Sequence, residues 1–315
     1  MMNSRVHPKY KTHYRVTNWA EYDKSLVERG DITVWISPEA IKAWIAKPRR
    51  IRGAPRKYSD LAIETALTLR AVFRLPLRLT EGFLGSLLAL MDLSLDAPDH
   101  TTLSRRSAKL CVNLGVVQPK GPMHLIIDSS GLSFAGEGEW AAAKHGKRGK
   151  RGWRKLHLGV NRHGQIHAQV LTDSSDDDAK TGIKVIKKTK GKLASVTGDA
   201  AYDTVAIYEQ AGSRGAKVVI PPTRSASVSK RGSRSAERDR TIKRVAKLGR
   251  RQWKKESGYH RQGTVENAFF RYKSMLGDRL HARGLAAQKV EVVIACKILN
   301  RMLDLGRPKS VAIAR

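Results

Sequence analysis

The chain has 315 residues, of which 60 are Lys or Arg and 28 are Asp or Glu, so its formal charge at pH 7 is +32. This excess predicts a polyanionic partner, and the hydrophobic share of 41% predicts a folded protein rather than a disordered basic tail. No stretch reaches the roughly 18 apolar residues that span a bilayer, and the first residues lack the apolar core of a signal peptide. We therefore expect a cytoplasmic nucleic-acid-binding protein.

The first part of the chain predicts helices. Ser37 is a typical cap of a short helix in which Pro38 takes the first position. Residues 58–77 carry apolar side chains at three- and four-residue spacing, which predicts an amphipathic helix that ends near Pro76. We assign residues 1–118 to a helical DNA-binding region.

Two short helices are predicted after Thr80, with a turn around residues 96–98 and a cap near Asp99. The second helix carries Arg105 and Arg106. This outline is that of a helix-turn-helix, whose second helix would bring both arginines to DNA. Any pair of short helices with basic residues facing water has the same outline, so both interpretations stay open.

After residue 118 the pattern changes to strands. Residues 123–128 predict a buried strand that ends at Asp128. Residues 155–161 and 165–172 alternate apolar and polar side chains, and the turn at 162–164 between them predicts a hairpin.

An acidic run follows the hairpin. Asp173, Asp176, Asp177 and Asp178 come before a predicted helix, where aspartates cap the first turn and favour the helix dipole. We expect this capping role rather than a catalytic one for all four.

A further apolar strand ends at Asp199, and Asp203 is expected to cap the helix that begins near Thr204. Another strand covers residues 217–222. The order of three strands, helix, strand, helix, strand and long helix is that of a ribonuclease-H-like mixed sheet. The predicted fold class is α/β, with this core in residues 119–310.

Residues 223–255 are basic and poor in apolar side chains. This composition predicts an insertion in the catalytic region that is either exposed or lies on DNA as a helix.

Three carboxylates are the candidates for chemistry. Asp128 and Asp199 end predicted strands, and the strand ends of open α/β sheets are where catalytic groups collect, although a single such Asp is usually a turn former or cap. Glu266 and Lys273 are seven residues apart, so they share one helix face. Taken alone, that spacing is common on helix surfaces.

The segments IIDSS, VTGDAAYD and YHRQGTVENAFFRYK together resemble the transposases of bacterial insertion sequences in families four and five. The last motif of those families runs Tyr, two residues, Arg, three residues, Glu, six residues, Lys. Tyr259, Glu266 and Lys273 match it. The place of the family arginine holds Gln262, and Arg261 stands one residue earlier.

The resemblance implies a DDE triad of Asp128, Asp199 and Glu266 that holds Mg²⁺ or Mn²⁺. It also implies that Tyr259 and Lys273 contact DNA, and it gives the same role to Arg261 if the backbone before Glu266 is irregular. Gly258 and Gly263 favour such an irregular backbone, since glycine weakens a helix.

The activity implied is that of a transposase, which binds the terminal inverted repeats of its element, cleaves the DNA there and joins the freed end to target DNA. Pairing of two element ends implies a homo-oligomer on double-stranded DNA in the bacterial nucleoid. Two other interpretations stay open: a catalytically inactive DNA-binding protein, and a metal-dependent nuclease that does not transfer strands.

Overall fold

The computed structural model describes residues 13–48, 55–134, 152–229 and 232–313. The strands are β1 (His13–Val16), β2 (Met123–Phe134), β3 (Trp153–Val160), β4 (Ile166–Asp173), β5 (Leu193–Thr197), β6 (Lys217–Val219), β7 (Arg279–Leu280) and β8 (Ser310–Ile313). The α-helices are α1 (Trp19–Glu28), α2 (Pro38–Lys42), α3 (Asp60–Val72), α4 (Leu77–Leu90), α5 (His100–Ser107), α6 (Asp178–Lys188), α7 (Val205–Gly212), α8 (Ala236–Leu248), α9 (Arg250–Glu256), α10 (Gly263–Leu276) and α11 (Leu285–Leu305). Four 3-10 helices cover Ile32–Val34, Ala200–Tyr202, Gly232–Arg234 and Tyr259–Gln262.

The main sheet has the strand order β4-β3-β2-β5-β6, and β7 adds a short pairing with β2. β2, β3 and β4 form an antiparallel meander, whereas β5 and β6 run parallel to β2. This mixed sheet with helical crossovers is the predicted ribonuclease-H-like arrangement, so the predicted fold class is confirmed.

β2 is longer than the sequence predicted. The prediction that this strand ends at Asp128 is wrong, because β2 continues to Phe134 and stays paired with β3 as far as Ser133. On its other side, β2 pairs with β5 only as far as Ile126. Asp128 therefore lies in the middle of a strand, just beyond the end of its parallel pairing.

The sheet lies between two helical layers. Leu125 and Ile127 point into a hydrophobic cluster with α6 and α7, and Ile126 points to the opposite face, as expected for alternating side chains of a strand. The second cluster contains buried residues of α3, α4, α5, α10 and α11. The main sheet thus has helices on both faces.

The helices before the sheet begin where capping residues predict. Ser37 accepts a hydrogen bond from the amide of Ala40 and so caps α2. Asp99 accepts bonds from the amides of Thr101 and Thr102 and so caps α5. Both caps confirm the prediction. α4 and α5 are joined by residues 91–99, a longer connection than the three- or four-residue turn of a helix-turn-helix.

α11 is a core element, because ten of its 21 residues are buried. Asn300 anchors it to β4 by two hydrogen bonds with the backbone of Ile166, one donated at 2.9 Å and one accepted at 2.8 Å. None of the helices in the described ranges is both long and apolar enough to cross a membrane.

The basic insertion contributes α8 and α9, and a buried ion pair fastens α8 to the core. The carboxylate of Asp203, with a side-chain exposure of 0%, accepts bonds from Nε and Nη2 of Arg238, both at 2.9 Å. The prediction that Asp203 caps the following helix is wrong, since Thr204 occupies the N-cap of α7 and makes no side-chain cap. The carboxylate of Asp203 pairs with Arg238 of α8 instead of with the amides at the start of α7.

Replacement of Arg238 by Ala should destabilise the protein, because it leaves the carboxylate of Asp203 buried without its cation. We expect the free energy of unfolding to fall by about 3 kcal/mol in urea denaturation followed by circular dichroism. Arg240→Ala is the matched control, since Arg240 is exposed on the same helix. An equal loss in both variants would contradict the role given to the ion pair.

Candidate active site

The end of the parallel pairing between β2 and β5 brings two carboxylates together. The last paired residues are Ile126 and Thr197, and Asp128 and Asp199 each follow two positions later. Gly198 lies between, and a Cβ atom there would come within 3.1 Å of Tyr202 and 3.2 Å of Ile127. A side chain at this position would therefore require Tyr202 and Ile127 to shift by a few tenths of an ångström.

Each aspartate is oriented by the local backbone. The carboxylate of Asp128 accepts a hydrogen bond of 2.8 Å from the amide of Ser129. Asp199 caps the 3-10 helix Ala200–Tyr202 by accepting a bond of 3.0 Å from the amide of Ala201. Both side chains are thereby held at the sheet edge, with oxygen atoms left for other partners.

Burial and neighbouring negative charges disfavour the ionised form of the carboxylates at this site. Burial raises the pKa of Asp128 to about 7, and the negative charges of Asp199, Glu266 and Asp178 add to that increase. Burial and the charge of Asp178 also raise the pKa of Asp199. The site is therefore a concentration of negative charge in a strongly basic protein, the electrostatic setting that a cation would relieve.

Glu266 lies in the first turn of α10 and is exposed. α10 packs against β2, and Glu266 is close enough to Asp128 for its charge to raise the pKa of that residue. Asp199 and Glu266 thus both lie near enough to Asp128 to influence its charge.

Tyr259 belongs to the same group. Burial raises the pKa of its hydroxyl to about 12, with further contributions from Asp199, Asp128 and Glu266. Its ring lies 6.2 Å from that of Trp253, and the ammonium of Lys254 is 4.8 Å from the ring centre. A neutral phenol with an aromatic and a cationic neighbour therefore borders the carboxylates.

Gln262 and Arg261 are directed to different places. The backbone before α10 is irregular, as the glycines predicted, with Gly258 in the left-handed region at φ 72° and a 3-10 helix after it. Gln262 is 5% exposed, and its amide donates a 3.2 Å bond to the carbonyl of Ile127, beside Asp128. Arg261 is exposed and lines a separate cavity with His124 and Arg162.

Asp178 is a fourth carboxylate at the site, where the sequence predicted only a helix cap. Asp177 is the N-cap of α6, while Asp178 adds negative charge at Asp128 and Asp199. Its Oδ2 accepts a 3.2 Å bond from Lys155, and its buried Oδ1 has no hydrogen-bond partner.

The topology itself could have indicated Asp178. β4 is parallel to β2, since each is antiparallel to β3, so the chain leaving β4 emerges at the edge of the sheet where Asp128 lies. A carboxylate early in the next helix is therefore placed near that edge.

The other predicted residues lie outside this group. Lys273 is half-buried on α10, two helical turns beyond Glu266. Arg105 is exposed on α5 and donates to the carbonyl and hydroxyl of Thr101. Arg106 donates to the carbonyl of Tyr58 and to the carboxylate of Asp60, contacts that hold the start of α3.

The donor set suits a hard divalent cation, which prefers carboxylate oxygens, and the unpartnered buried Oδ1 of Asp178 is a further oxygen at the same edge. The side chains are not drawn together around a coordination centre: in the described part of the chain, no three His, Cys, Asp or Glu side chains are close enough to hold one metal ion. Asp128, Asp199 and Glu266 are the residues that could hold it.

Comparison with known proteins gives two family matches. Residues 119–301 match a model described as "Transposase DDE domain", and residues 27–137 match a second model with the same description. A cryo-EM structure of a piggyBac transposase synaptic complex with hairpin DNA is similar at 12% sequence identity, with a TM-score of 0.41; the alignment covers 92% of this chain and 76% of that chain.

Removal of the Asp128 charge should stabilise the metal-free protein at high pH. In the folded chain this carboxyl keeps its proton up to a pKa of about 7, whereas an unfolded Asp loses it near pH 4. Its contribution to the free energy of unfolding therefore falls as the pH rises from about 4 to 7. We expect Asp128→Asn to be more stable than the wild type at pH 8 by on the order of 2 kcal/mol, with a smaller gain at pH 5.

Urea denaturation in the presence of a chelator at both pH values measures this difference. Asp278→Asn is the control, because Asp278 is exposed. A stability gain that does not change with pH would contradict the raised pKa.

Proposed function

The chain belongs to the family of transposase DDE domains, and on that premise we propose that this transposase binds the terminal inverted repeats of its element, cleaves the DNA there and joins the freed 3′ end to target DNA. The match of Tyr259, Glu266 and Lys273 to the last motif of the family supports an origin in bacterial insertion sequences of family five, which is close to family four. The double-stranded DNA of the element ends and of the target is the substrate.

One observation carries the catalytic part of the proposal. The charges of Asp199 and Glu266 both raise the pKa of Asp128, although the three residues come from β2, the turn after β5 and α10. Holding mutually repelling carboxylates near one another, two of them half-buried, costs stability, and proteins keep such clusters where function needs them. We assign Asp128, Asp199 and Glu266 as the catalytic carboxylates.

Transposase DDE domains use divalent metal ions, and we propose that these three carboxylates hold Mg²⁺ or Mn²⁺. A metal of this kind, when bound, polarises a phosphodiester and stabilises the attacking and leaving oxygens of an in-line displacement. The contribution of the protein is a set of oxygen ligands on three rigid elements, with Gln262 bracing the backbone of β2 next to Asp128.

Two further residues are proposed to position the DNA at this site. Tyr259 borders the carboxylates, and its hydroxyl stays neutral at physiological pH because its pKa is raised to about 12. A neutral phenol can donate a hydrogen bond to a phosphate oxygen. Lys273, two turns further along α10, supplies a positive charge on the same helix face as Glu266.

The rest of the DNA is held by regions outside the carboxylate site. We propose residues 1–118 as the DNA-binding region, 119–310 as the catalytic region and 223–255 as its basic insertion. Arg105 is exposed on α5 and available to a phosphate or base. A DNA contact by Arg106 has to compete with its ion pair to Asp60. The net charge of +32 supports tight, salt-sensitive binding to DNA.

Transposition pairs two element ends, so we propose that the protein acts as a homo-oligomer on DNA, in the bacterial cytoplasm and associated with the nucleoid. The chemistry would require no covalent protein intermediate, because water and then the freed 3′-hydroxyl are the nucleophiles.

The proposal predicts Mg²⁺-dependent cleavage and joining of a labelled element end by the wild-type chain. Glu266→Gln should lose both steps by at least about a thousandfold while binding the end as tightly as the wild type, because it removes a metal ligand and leaves the basic surface intact. Asp128→Asn should behave in the same way. Asp278→Asn, an exposed change outside the proposed DNA-binding region and the basic insertion, is the matched control.

The two other interpretations give different results in this assay. An inactive DNA-binding protein binds the end and performs neither step in the wild type. A nuclease cleaves the end and never joins it to the target. Cleavage by Glu266→Gln at the wild-type rate would overturn the assignment of the triad.

A further inference from the structure

A cavity of about 200 Å³ opens on the same face of the sheet as Asp128, over β2, β5 and β6. Its lining brings together side chains from five parts of the chain: His124, Arg162, Ser195, Lys217, Ser257 and Arg261. We call it the edge pocket. It lies beside the carboxylate site, because its lining also includes Ile126 and Thr197, which come two residues before Asp128 and Asp199, but none of the three carboxylates lines it.

The charged side chains in the described lining of the edge pocket are all cationic. Its described lining includes Arg162, Lys217 and Arg261 but no Asp or Glu, and none of these three cations forms a salt bridge within the described ranges. Burial and then the charges of Arg162 and Arg261 lower the pKa of His124, and burial and Arg261 lower that of Arg162. Like charges held together in this way are stabilised by a bound anion.

The pocket also offers unused hydrogen-bonding groups. The Oγ of Ser257 is buried and has no hydrogen-bond partner, which costs free energy unless a ligand supplies one. His124 bonds through Nδ1 to the Oγ of Ser195 at 2.7 Å, which fixes the ring and leaves Nε2 for another group. A hydroxyl, an imidazole and guanidinium groups around a small cavity match the acceptor oxygens of a tetrahedral oxyanion.

We propose that the edge pocket binds a backbone phosphate of the DNA substrate, held by Arg162, Lys217 and Arg261 with Ser257 and His124 as hydrogen-bonding partners. This inference rests on the proposed function, because it takes DNA as the source of the phosphate. It assigns Arg261 a place apart from the catalytic carboxylates, and it adds four residues that no motif of the sequence indicated.

The position of the pocket favours DNA over a free phosphate ion. His124 and Asp128 are four residues apart on β2, so they point to the same face and are separated by about 13 Å. Arg162, Lys217 and Arg261 are exposed at the pocket mouth, where a long polyanion can reach them. One strand of a duplex with one phosphate in the edge pocket and another at the carboxylate site would be fixed in its direction on this face of the sheet.

The test is the salt dependence of binding to a duplex of arbitrary sequence, because a phosphate contact is independent of sequence. Arg162→Gln should lower the magnitude of the slope of log K against log salt by about 0.9, the effect of one lost phosphate contact, and weaken binding severalfold. Lys217→Gln is a second variant with the same expected result. Arg301→Gln, an exposed arginine of α11 outside the pocket, should keep the wild-type slope.

Competition by inorganic phosphate at constant ionic strength distinguishes a DNA phosphate from a free phosphate ion as the anion bound in the edge pocket. If the pocket takes DNA, phosphate should weaken duplex binding by the wild type and have less effect on Arg162→Gln. If both pocket variants keep the wild-type slope of log K against log salt, the inference is overturned. This holds even if inorganic phosphate still binds the pocket, because the anion would then not belong to the DNA. None of these measurements needs cleavage, so an inactive wild type would refute the proposed function without deciding the role of the edge pocket.

Discussion

The parallel pairing of β2 with β5 is the constraint on which the site depends. The pairing stops at Ile126 and Thr197, while β2 continues along β3, and this difference in length places Asp128 and Asp199 side by side. Because strand positions are fixed by backbone hydrogen bonds and by the two hydrophobic layers, neither carboxylate can move far from the other. A shift of one residue in this register would turn Asp128 to the other face of the sheet.

Holding the carboxylates of Asp128 and Asp199 close together is electrostatically unfavourable, and the rest of the fold must compensate for this free-energy cost. The carboxylates of Asp128 and Asp199 are held close together, and burial and negative neighbours raise the pKa of both. In the described part of the chain no cation forms a direct ion pair with Asp128 or Asp199, although Lys155 pairs with Asp178, and other positive charge lies on the edge pocket and the rest of the basic surface. The carboxylates are thus left for a metal, and the cations for the phosphates of DNA.

The sequence predicted the features that depend on local pattern. The strand order, the caps at Ser37 and Asp99, and the irregular backbone before α10 were all evident from residue types and spacing. The sequence did not predict features that depend on contacts between distant parts of the chain. These are the extension of β2 past Asp128, the pairing of Asp203 with Arg238, and the approach of Asp178 to the carboxylates. The edge pocket escaped notice for the same reason, since its cations come from segments that have no common motif.

The central claim is that Asp128, Asp199 and Glu266 form one metal-binding site. The most direct test is anomalous X-ray scattering from crystals of the wild-type protein soaked in Mn²⁺. We expect Mn²⁺ bound by oxygens of all three residues, and no Mn²⁺ at that position in Asp128→Asn. Mn²⁺ bound only elsewhere, or bound equally in the variant, would contradict the account.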